Sequence, residues 1–245
     1  MDYYEVALGA LAVLLATSVG SLAILPFKRI EGSLYSIMLA FSAGVMAYSS
    51  VEMLSESHFF AGDIIVLVGF ISGLLALLVA ERLFPHIHRH MGNEELTDSK
   101  KKAAIVVGTI ALHNVPEGLA VATAFAASGP LGWFVTTSIA IQDVPEGMMI
   151  SAPLAAYGIS RRWSIFSGIF SGIAEAIAVI IGYAFLSSFS GLIPVALAFS
   201  AGAMIYVVFV ELLPDAIKNG MERVAAFSFV SGAAIAFLIA SLLAV

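Results

Sequence analysis

The chain of 245 residues contains no cysteine, which excludes disulfide bonds, thiolate metal ligands and cysteine nucleophiles. Charged residues are also scarce, because Asp, Glu, Lys and Arg together make up 11% of the sequence, against 60% hydrophobic residues. A soluble domain has about a quarter charged residues. The composition therefore excludes a soluble domain and indicates a polytopic membrane protein. The sequence has no basic patch of the kind that binds nucleic acid, so nucleic acid is not an expected partner.

Eight long apolar runs account for most of the chain. Each is long enough to cross a bilayer as a helix, which takes about 20 residues at a rise of about 1.5 Å each. The runs are Tyr4–Leu25, Leu34–Ser55, Ile64–Phe84, Ala103–Ala127, Leu131–Tyr157, Trp163–Leu186, Leu192–Leu213 and Val224–Val245. They predict an all-α integral membrane protein with eight transmembrane helices in a single domain, residues 1–245. We expect no signal peptide, since Met1-Asp2 lacks a basic segment and the first run is full length.

The basic residues predict how these spans are oriented. All eleven Lys and Arg fall on one side, in or beside the loops after spans 1, 3, 5 and 7. They are Lys28, Arg29, Arg82, Arg89, Lys100, Lys101, Lys102, Arg161, Arg162, Lys218 and Arg223. Cytoplasmic loops carry the excess of Lys and Arg, so we expect these loops in the cytoplasm and both termini outside, in the plasma or inner membrane of the cell.

Two related segments place polar residues near the middle of spans 4 and 5. They read His113-Asn114-Val115-Pro116-Glu117-Gly118 and Gln142-Asp143-Val144-Pro145-Glu146-Gly147. Residues three and four apart share a helix face, so each segment presents three polar side chains on one face. An ionisable group there costs at least about 2.5 kcal/mol unless it is paired, hydrated or coordinated.

The prolines of these segments predict kinks, because Pro116 and Pro145 have no N–H to donate to the preceding turn. Two antiparallel kinked helices that present nitrogen and oxygen donors to one point would form a cation site near the membrane midplane. Span 6 carries one charged group in its middle, Glu175, on the same face as a stripe of Ser and Gly residues. With no Lys or Arg near the middle of any span, Glu175 must be protonated or bound to a cation.

Spans 2 and 7 also repeat each other in opposite directions. Phe41-Ser42-Ala43-Gly44 returns as Phe199-Ser200-Ala201-Gly202, and the carboxylates that follow match if one residue is inserted. Inverted repeats of this kind are typical of secondary transporters. We therefore expect Glu52 and Glu56 at the outer mouth of a cation pathway and Glu211 and Asp215 at the inner mouth. Carboxylates that only meet water at the ends of the helices are the alternative.

The longest predicted loop, residues 85–102, contains His86, His88 and His90, followed by acidic residues. Three alternating histidines favour a weak metal acceptor on the cytoplasmic side. A solvated polar loop is the alternative.

The chain resembles the ZIP (ZRT/IRT-like) family of divalent metal transporters over its whole length. The resemblance rests on the two Pro-Glu-Gly segments, the eight spans with both termini outside, the His-bearing loop after span 3 and the Phe-Ser-Ala-Gly segments. The second motif begins with Gln142-Asp143, where many members have His-Glu or His-Asn. In this it resembles a prokaryotic branch, the GufA subfamily.

The resemblance implies a binuclear metal site. Its first metal would be ligated by His113, Glu117, Gln142 and Glu146, and its second by Asn114, Glu117, Asp143, Glu146 and Glu175. The glutamates Glu117 and Glu146 would bridge the two. Four carboxylates would balance two divalent cations, and metal entry should release protons. Mixed imidazole and carboxylate ligands suit Zn²⁺, Fe²⁺, Mn²⁺, Co²⁺ or Cd²⁺.

The implied activity is transport of such cations into the cytoplasm by alternating access, zinc foremost. A bundle of spans 1, 4, 5 and 6 would move against a scaffold of spans 2, 3, 7 and 8. The expected partners are divalent metal ions and membrane lipids, with a homodimer as one compatible assembly, and no organic cofactor is expected. A gated, channel-like metal pore and a proton-coupled exchanger are the alternatives.

Two enzyme classes are excluded by their missing residues. An intramembrane metalloprotease would need a His-Glu-x-x-His helix, and no such pattern occurs. A membrane phosphatase would need Arg or Lys directed at phosphate, whereas every basic residue here belongs to the loop side.

Overall fold

The computed structural model describes residues 3–26, 32–83, 114–156, 158–243 and 245. Within these ranges all regular secondary structure is helical, and eight helical stretches follow the eight predicted runs. They are α1 (Tyr3–Leu22), α2 (Gly32–Phe60), α3 (Asp63–Leu83), α4 (residues 114–127), α5 (Gly129–Ala156), α6 (Arg161–Ser188), α7 (Ile193–Val207) and α8 (Glu222–Leu243). Helix α7 is preceded by a 3₁₀ turn, Ser190–Leu192, and extended by a π-helical turn, Val208–Leu212, and a short helix, Leu213–Ala216. The predicted all-α membrane fold is confirmed.

Six helical stretches of the described residues are long and apolar enough to cross a membrane, namely α1, α2, α3, α6, α8 and the stretch Ser190–Ala216 that contains α7. Helix α5 has 28 residues, which is also long enough, but its middle carries the polar Gln-Asp and Pro-Glu-Gly segment. Helical conformation runs unbroken through Pro145 and Pro153 of α5. The prolines thus remove hydrogen-bond donors without ending the helix, and the predicted kinks stay a prediction.

Close backbone contacts at glycines join the helices in pairs. A methyl group added to Gly44 of α2 would lie 2.0 Å from the carbonyl oxygen of Phe229 in α8. The contact is reciprocal, since a methyl group on Gly232 would lie 2.2 Å from the carbonyl oxygen of Phe41. Small residues allow backbones to approach this closely, which is how helices pack in a membrane without a hydrophobic driving force.

Two further helix pairs have the same reciprocal arrangement. Between α3 and α7, Gly73 lies against Phe199 and Gly202 lies against Phe70. Between α1 and α5, Gly20 lies against Val144 and Gly147 lies against Thr17. The repeated Phe-Ser-Ala-Gly segments of α2 and α7 therefore contact corresponding Phe-x-Ser-Gly segments, in α8 and α3 respectively. This correspondence agrees with the predicted inverted repeat and extends it to α3 and α8.

Helices α2 and α7 lie antiparallel. The Ser57 hydroxyl near the end of α2 donates to the carbonyl oxygen of Pro194, at the start of α7, over 2.7 Å. The Ser36 hydroxyl near the start of α2 donates to the carbonyl oxygen of Ala216, beyond the other end of α7. The opposite directions predicted for the two repeated spans are therefore present in the fold.

The residue inserted into the α7 repeat forms the π-helical turn Val208–Leu212. In α2 the Tyr48 hydroxyl donates to Glu52, four residues further along the same helix. The equivalent tyrosine of α7, Tyr206, is five residues from Glu211, and its hydroxyl donates instead to Glu81 of α3. The insertion thus exchanges a hydrogen bond within one helix for one between two helices.

Helix α4 lies between α1, α5 and α6. Its Phe125 is 1% exposed and fills the space above two glycines, Gly9 of α1 and Gly132 of α5. At the Pro-Glu-Gly segment, a methyl group on Gly118 would lie 2.4 Å from the carbonyl oxygen of Glu175 in α6. This approach brings the polar faces of α4, α5 and α6 to one place.

Candidate metal centre

Three carboxylates from α4 and α5 converge inside the helix bundle. One oxygen each of Glu117, Asp143 and Glu146 lies within 4.8 Å of the others, a spacing at which one cation can bind all three. Glu117 is 3% exposed and Asp143 is fully buried, while Glu146 is partly buried. Carboxylates in such a place are stable only when protonated, paired or coordinated.

The amide of Gln142 links α5 to α4 at this point. Its Nε2 donates to Glu117 Oε1 over 2.8 Å. The second oxygen of Glu117 and the Gln142 oxygen, Oε1, are buried and have no hydrogen-bond partner. Each is therefore a buried oxygen atom that could serve as a ligand to a cation.

Glu175 of α6 closes the site from a third helix. Its side chain is fully buried, and Oε2 accepts a 3.5 Å hydrogen bond from Asn114 Nδ2. Its other oxygen, Oε1, is buried without a partner. The oxygen of the Asn114 amide accepts a 2.8 Å hydrogen bond from the Ser171 hydroxyl, one turn before Glu175 on α6.

Four acidic side chains meet at the site. Glu117, Asp143, Glu146 and Glu175 lie close enough to one another for electrostatic repulsion. Both oxygens of Asp143 are buried without a hydrogen-bond partner. No Lys or Arg occurs between residues 103 and 160. Buried oxygens without partners, several negative charges and no basic side chain are the features of a divalent cation site.

The structure brings together six of the seven predicted metal ligands, namely Asn114, Glu117, Gln142, Asp143, Glu146 and Glu175. The seventh, His113, lies outside the described residues, as do His86, His88 and His90 of the predicted acceptor loop. The assignment of individual ligands to one metal or the other stays a prediction.

The four predicted mouth residues do not join this cluster. Glu52 accepts from Tyr48 in its own helix, and Asp215 forms a salt bridge with Lys218. Glu56 and Glu211 are partly buried. Glu52 and Glu56 lie in the second half of α2. Glu211 and Asp215 lie beyond the end of α7. Because α2 and α7 are antiparallel, the two pairs lie toward opposite ends of the bundle. Their role in a pathway stays a prediction.

Sequence reasoning missed the part that two hydroxyl residues play in the site. Neither Ser171 nor Thr17 is among the predicted site residues. Thr17 of α1 is fully buried beside the Asp143 carboxylate, with its hydroxyl donating to the Val13 carbonyl over 2.9 Å. The Thr17 carbonyl oxygen would lie 2.1 Å from a methyl group on Gly147, just as the Glu175 carbonyl oxygen would lie 2.4 Å from a methyl group on Gly118. Thr17 and Glu175 thus lie against the two repeated Pro-Glu-Gly glycines in the same way, and the sequence pattern alone does not identify Thr17.

Comparison with known proteins agrees with this geometry. The family model described as ZIP zinc transporter matches residues 88–240, which include every predicted ligand. The chain belongs to the ZIP zinc transporter family. Three of its ZIP relatives are similar over most of their length. The zinc transporter GufA of Myxococcus xanthus is 39% identical over 176 residues, covering 71% of this chain and 69% of the relative.

The other two relatives cover more of the chain. The zinc transporter ZIPB of Bordetella bronchiseptica is 32% identical over 240 residues, which are 93% of this chain and 78% of that protein. The zinc transporter ZupT of Chlorobium phaeovibrioides is 32% identical over 264 aligned residues, covering 99% of each chain. The family resemblance predicted from the two Pro-Glu-Gly segments is therefore confirmed, and the similarity to ZupT extends over 99% of this chain.

Proposed function

We propose that this ZIP chain transports divalent transition-metal cations, zinc foremost, across the cell membrane into the cytoplasm. The observation that carries the proposal is the cluster of Glu117, Asp143 and Glu146, with buried and unpartnered oxygens on Glu117 and Asp143, in a chain whose relatives are named zinc transporters. The cation is the substrate, and neither enzymatic activity nor an organic cofactor is part of the proposal. Cadmium, iron, manganese and cobalt suit the same nitrogen and oxygen donors.

Two metals share the site in this proposal. The first is bound by His113, Glu117, Gln142 and Glu146, and the second by Asn114, Glu117, Asp143, Glu146 and Glu175. The unpartnered Gln142 Oε1 supports the first set, and the unpartnered oxygens of Asp143 and Glu175 support the second. Because a bound divalent cation replaces protons on such carboxylates, uptake should be weakened at low pH.

Transport by alternating access is supported by the way the glycines pack. The reciprocal glycine contacts of α2 with α8 and of α3 with α7 lie inside the proposed scaffold. Those of α1 with α5, and the contact of Gly118 with α6, lie inside the proposed moving bundle. Across the boundary, the Ser42 hydroxyl of α2 reaches the Gln142 carbonyl over a longer 3.4 Å. Among the described residues, the glycine contacts with backbone carbonyls all lie within one of the two groups, which would allow one group to slide on the other.

The test is metal flux in liposomes that contain the purified protein, with a panel of metals and a pH gradient. We expect saturable zinc uptake that is abolished by Glu117→Ala or by Glu146→Ala, because each removes a carboxylate shared by both metals. Glu222→Ala is the control, since this residue is exposed at the start of α8. Near-normal flux in a well-folded Glu117 variant would contradict the shared-ligand assignment.

The same liposomes separate the mechanisms. A carrier shows counterflow, in which zinc inside the vesicle accelerates the entry of labelled zinc, whereas a channel-like pore does not. Proton-coupled exchange would make uptake depend on the direction of the pH gradient. We expect counterflow.

Orientation is tested on a chain that has no cysteine of its own. Single cysteines at Glu56 and at Asp215 should react with a membrane-impermeant reagent from opposite sides, Glu56 from the outside. Labelling of both from one side would contradict the proposed topology with both termini outside.

A further inference from the structure

We propose that Ser171 is a positioning residue of the second metal subsite: its hydroxyl fixes the orientation of the Asn114 amide, and through it the orientation of Glu175. This inference rests on the proposed function, because it concerns how the proposed second metal is bound.

The two ends of the Asn114 amide have different partners. Ser171 Oγ donates to Asn114 Oδ1 over 2.8 Å, and Asn114 Nδ2 donates to Glu175 Oε2 over 3.5 Å. All three side chains are at most 1% exposed, so no bulk water competes for these groups. An ionised carboxylate only accepts hydrogen bonds, which places the amide nitrogen on the Glu175 side.

The serine hydroxyl reinforces this orientation from the opposite end. Because it donates to Oδ1, the amide oxygen is held on the side of Ser171 and not against the carboxylate. A carbonyl oxygen has two lone pairs, so Oδ1 can accept from Ser171 and still bind a cation. The hydroxyl therefore acts through Asn114 without itself being a ligand.

Glu175 receives the same constraint in turn. Its Oε2 is occupied by Asn114, which leaves Oε1 as the buried oxygen without a partner. Ser171 and Glu175 are one turn apart on α6, and α4 is held against that turn by the close contact of Gly118 with the Glu175 carbonyl. The chain of contacts from Ser171 through Asn114 to Glu175 is thus built on two helices in direct backbone contact.

Ser167 supplies a matched comparison on the same helix. It lies one turn before Ser171, is 6% exposed, and its hydroxyl donates to the Trp163 carbonyl of its own helix over 2.9 Å. The same change, serine to alanine, therefore removes a hydrogen bond within the helix at one position and the bond to the Asn114 amide at the other.

The experiment measures zinc binding by equilibrium dialysis of the purified chain in detergent, together with initial zinc uptake in liposomes. For Ser171→Ala we expect the dissociation constant of the second zinc to rise about three- to tenfold, the range for loss of one neutral hydrogen bond. The first zinc should bind as before, and the KM of uptake should rise more than kcat falls. Ser167→Ala should match the unmodified chain, and Ser171→Thr, which keeps a hydroxyl, should restore most of the binding.

A second variant tests the orienting role itself. In Asn114→Asp the two carboxylate oxygens are equivalent, so no hydroxyl is needed to choose between them. Adding Ser171→Ala to this background should change the second dissociation constant less than about twofold. An equal effect of Ser171→Ala in both backgrounds, or equal loss of both zinc ions, would overturn the inference. If the unmodified chain binds zinc but fails to transport it, the proposed function fails while the binding test still decides the role of Ser171.

Discussion

Gln142 Nε2 donates to Glu117 Oε1 over 2.8 Å, and this bond joins the two Pro-Glu-Gly helices at the centre of the site. The amide fixes one oxygen of Glu117 and keeps its own oxygen, Oε1, buried and unpartnered. Gln142 stands where many family members have histidine. In the proposed first metal subsite, a neutral amide oxygen would therefore take the place of a nitrogen ligand at this position.

Replacing Gln142 by histidine should increase the preference for zinc over manganese. Imidazole suits zinc, whereas carboxylate and carbonyl oxygens suit manganese better. We expect a severalfold rise in the ratio of zinc to manganese uptake, measured by competition in liposomes. Gln142→Asn keeps the amide but shortens it, and should lower uptake of both metals without this shift. An unchanged ratio in a folded Gln142→His variant would contradict a ligand role for position 142.

Changing Asp143 to asparagine should affect the second metal alone. The substitution keeps the shape and one oxygen donor but removes a charge from a side chain that is fully buried. We expect bound zinc at neutral pH to fall from about two ions per protein toward about one, with transport reduced but measurable.

His113→Ala is the comparison for the first metal, because it removes the one nitrogen ligand that the family resemblance assigns to the site. Flux should fall far more steeply in this variant than in Asp143→Asn. Metal content of the purified variants and initial uptake rates decide the matter. If the two variants are indistinguishable in both measurements, a single shared site describes the protein better than two.

The helices could be predicted from the sequence because long apolar runs separated by charged loops have few other solutions. The run Trp163–Leu186 became α6, Arg161–Ser188, and the run Val224–Val245 became α8, Glu222–Leu243. The convergence of the two polar segments could also be predicted, since residues three and four apart share a helix face. Spacing along one helix thus determined which side chains face the site.

The partners across helices could not be predicted in the same way. Ser167 and Ser171 stand in one stripe of small residues on α6, and nothing in their spacing distinguishes them. In the fold, Ser167 bonds to its own helix while Ser171 bonds to Asn114 of α4. A hydrogen bond between two helices depends on their relative rotation, which a single sequence pattern does not contain. Tyr206 shows the same limit, because only the packed fold brings it to Glu81.

A methyl group at Gly44 should destabilise the scaffold pair α2 and α8. It would lie 2.0 Å from the carbonyl oxygen of Phe229, and a backbone oxygen cannot turn aside as a flexible side chain can. Overpacking of this kind costs about 1–3 kcal/mol and occasionally more. We expect a clear fall in the midpoint of thermal unfolding in detergent for Gly44→Ala. Gly191→Ala is the control, since its added methyl group meets no atom within 4 Å, and equal midpoints for the two variants would contradict the close contact.

The hydrogen bond from Tyr206 to Glu81 should couple α3 to α7. Its existence follows from the π-helical turn Val208–Leu212, which leaves Glu211 five residues from the tyrosine. A hydrogen bond to an ionised carboxylate contributes about 1.5–3 kcal/mol when well shielded, and less here because the pair is only partly buried. Tyr206→Phe, Glu81→Gln and the double variant form a cycle that isolates this interaction.

We expect the two single substitutions to lower the free energy of unfolding, and the double variant to lose less than their sum. The measurement is unfolding by sodium dodecyl sulfate in mixed micelles, followed by loss of helix. The matching cycle in α2, Tyr48→Phe with Glu52→Gln, removes a hydrogen bond within one helix. Because that bond does not join two helices, its loss should leave the packing of α2 against α8 unchanged. The Tyr206→Phe variant, in contrast, should loosen the packing of α3 against α7, which would be measured as less crosslinking between these two helices. Additive effects of Tyr206→Phe and Glu81→Gln would mean that the inserted residue merely absorbs length in α7 and has no part in joining the scaffold.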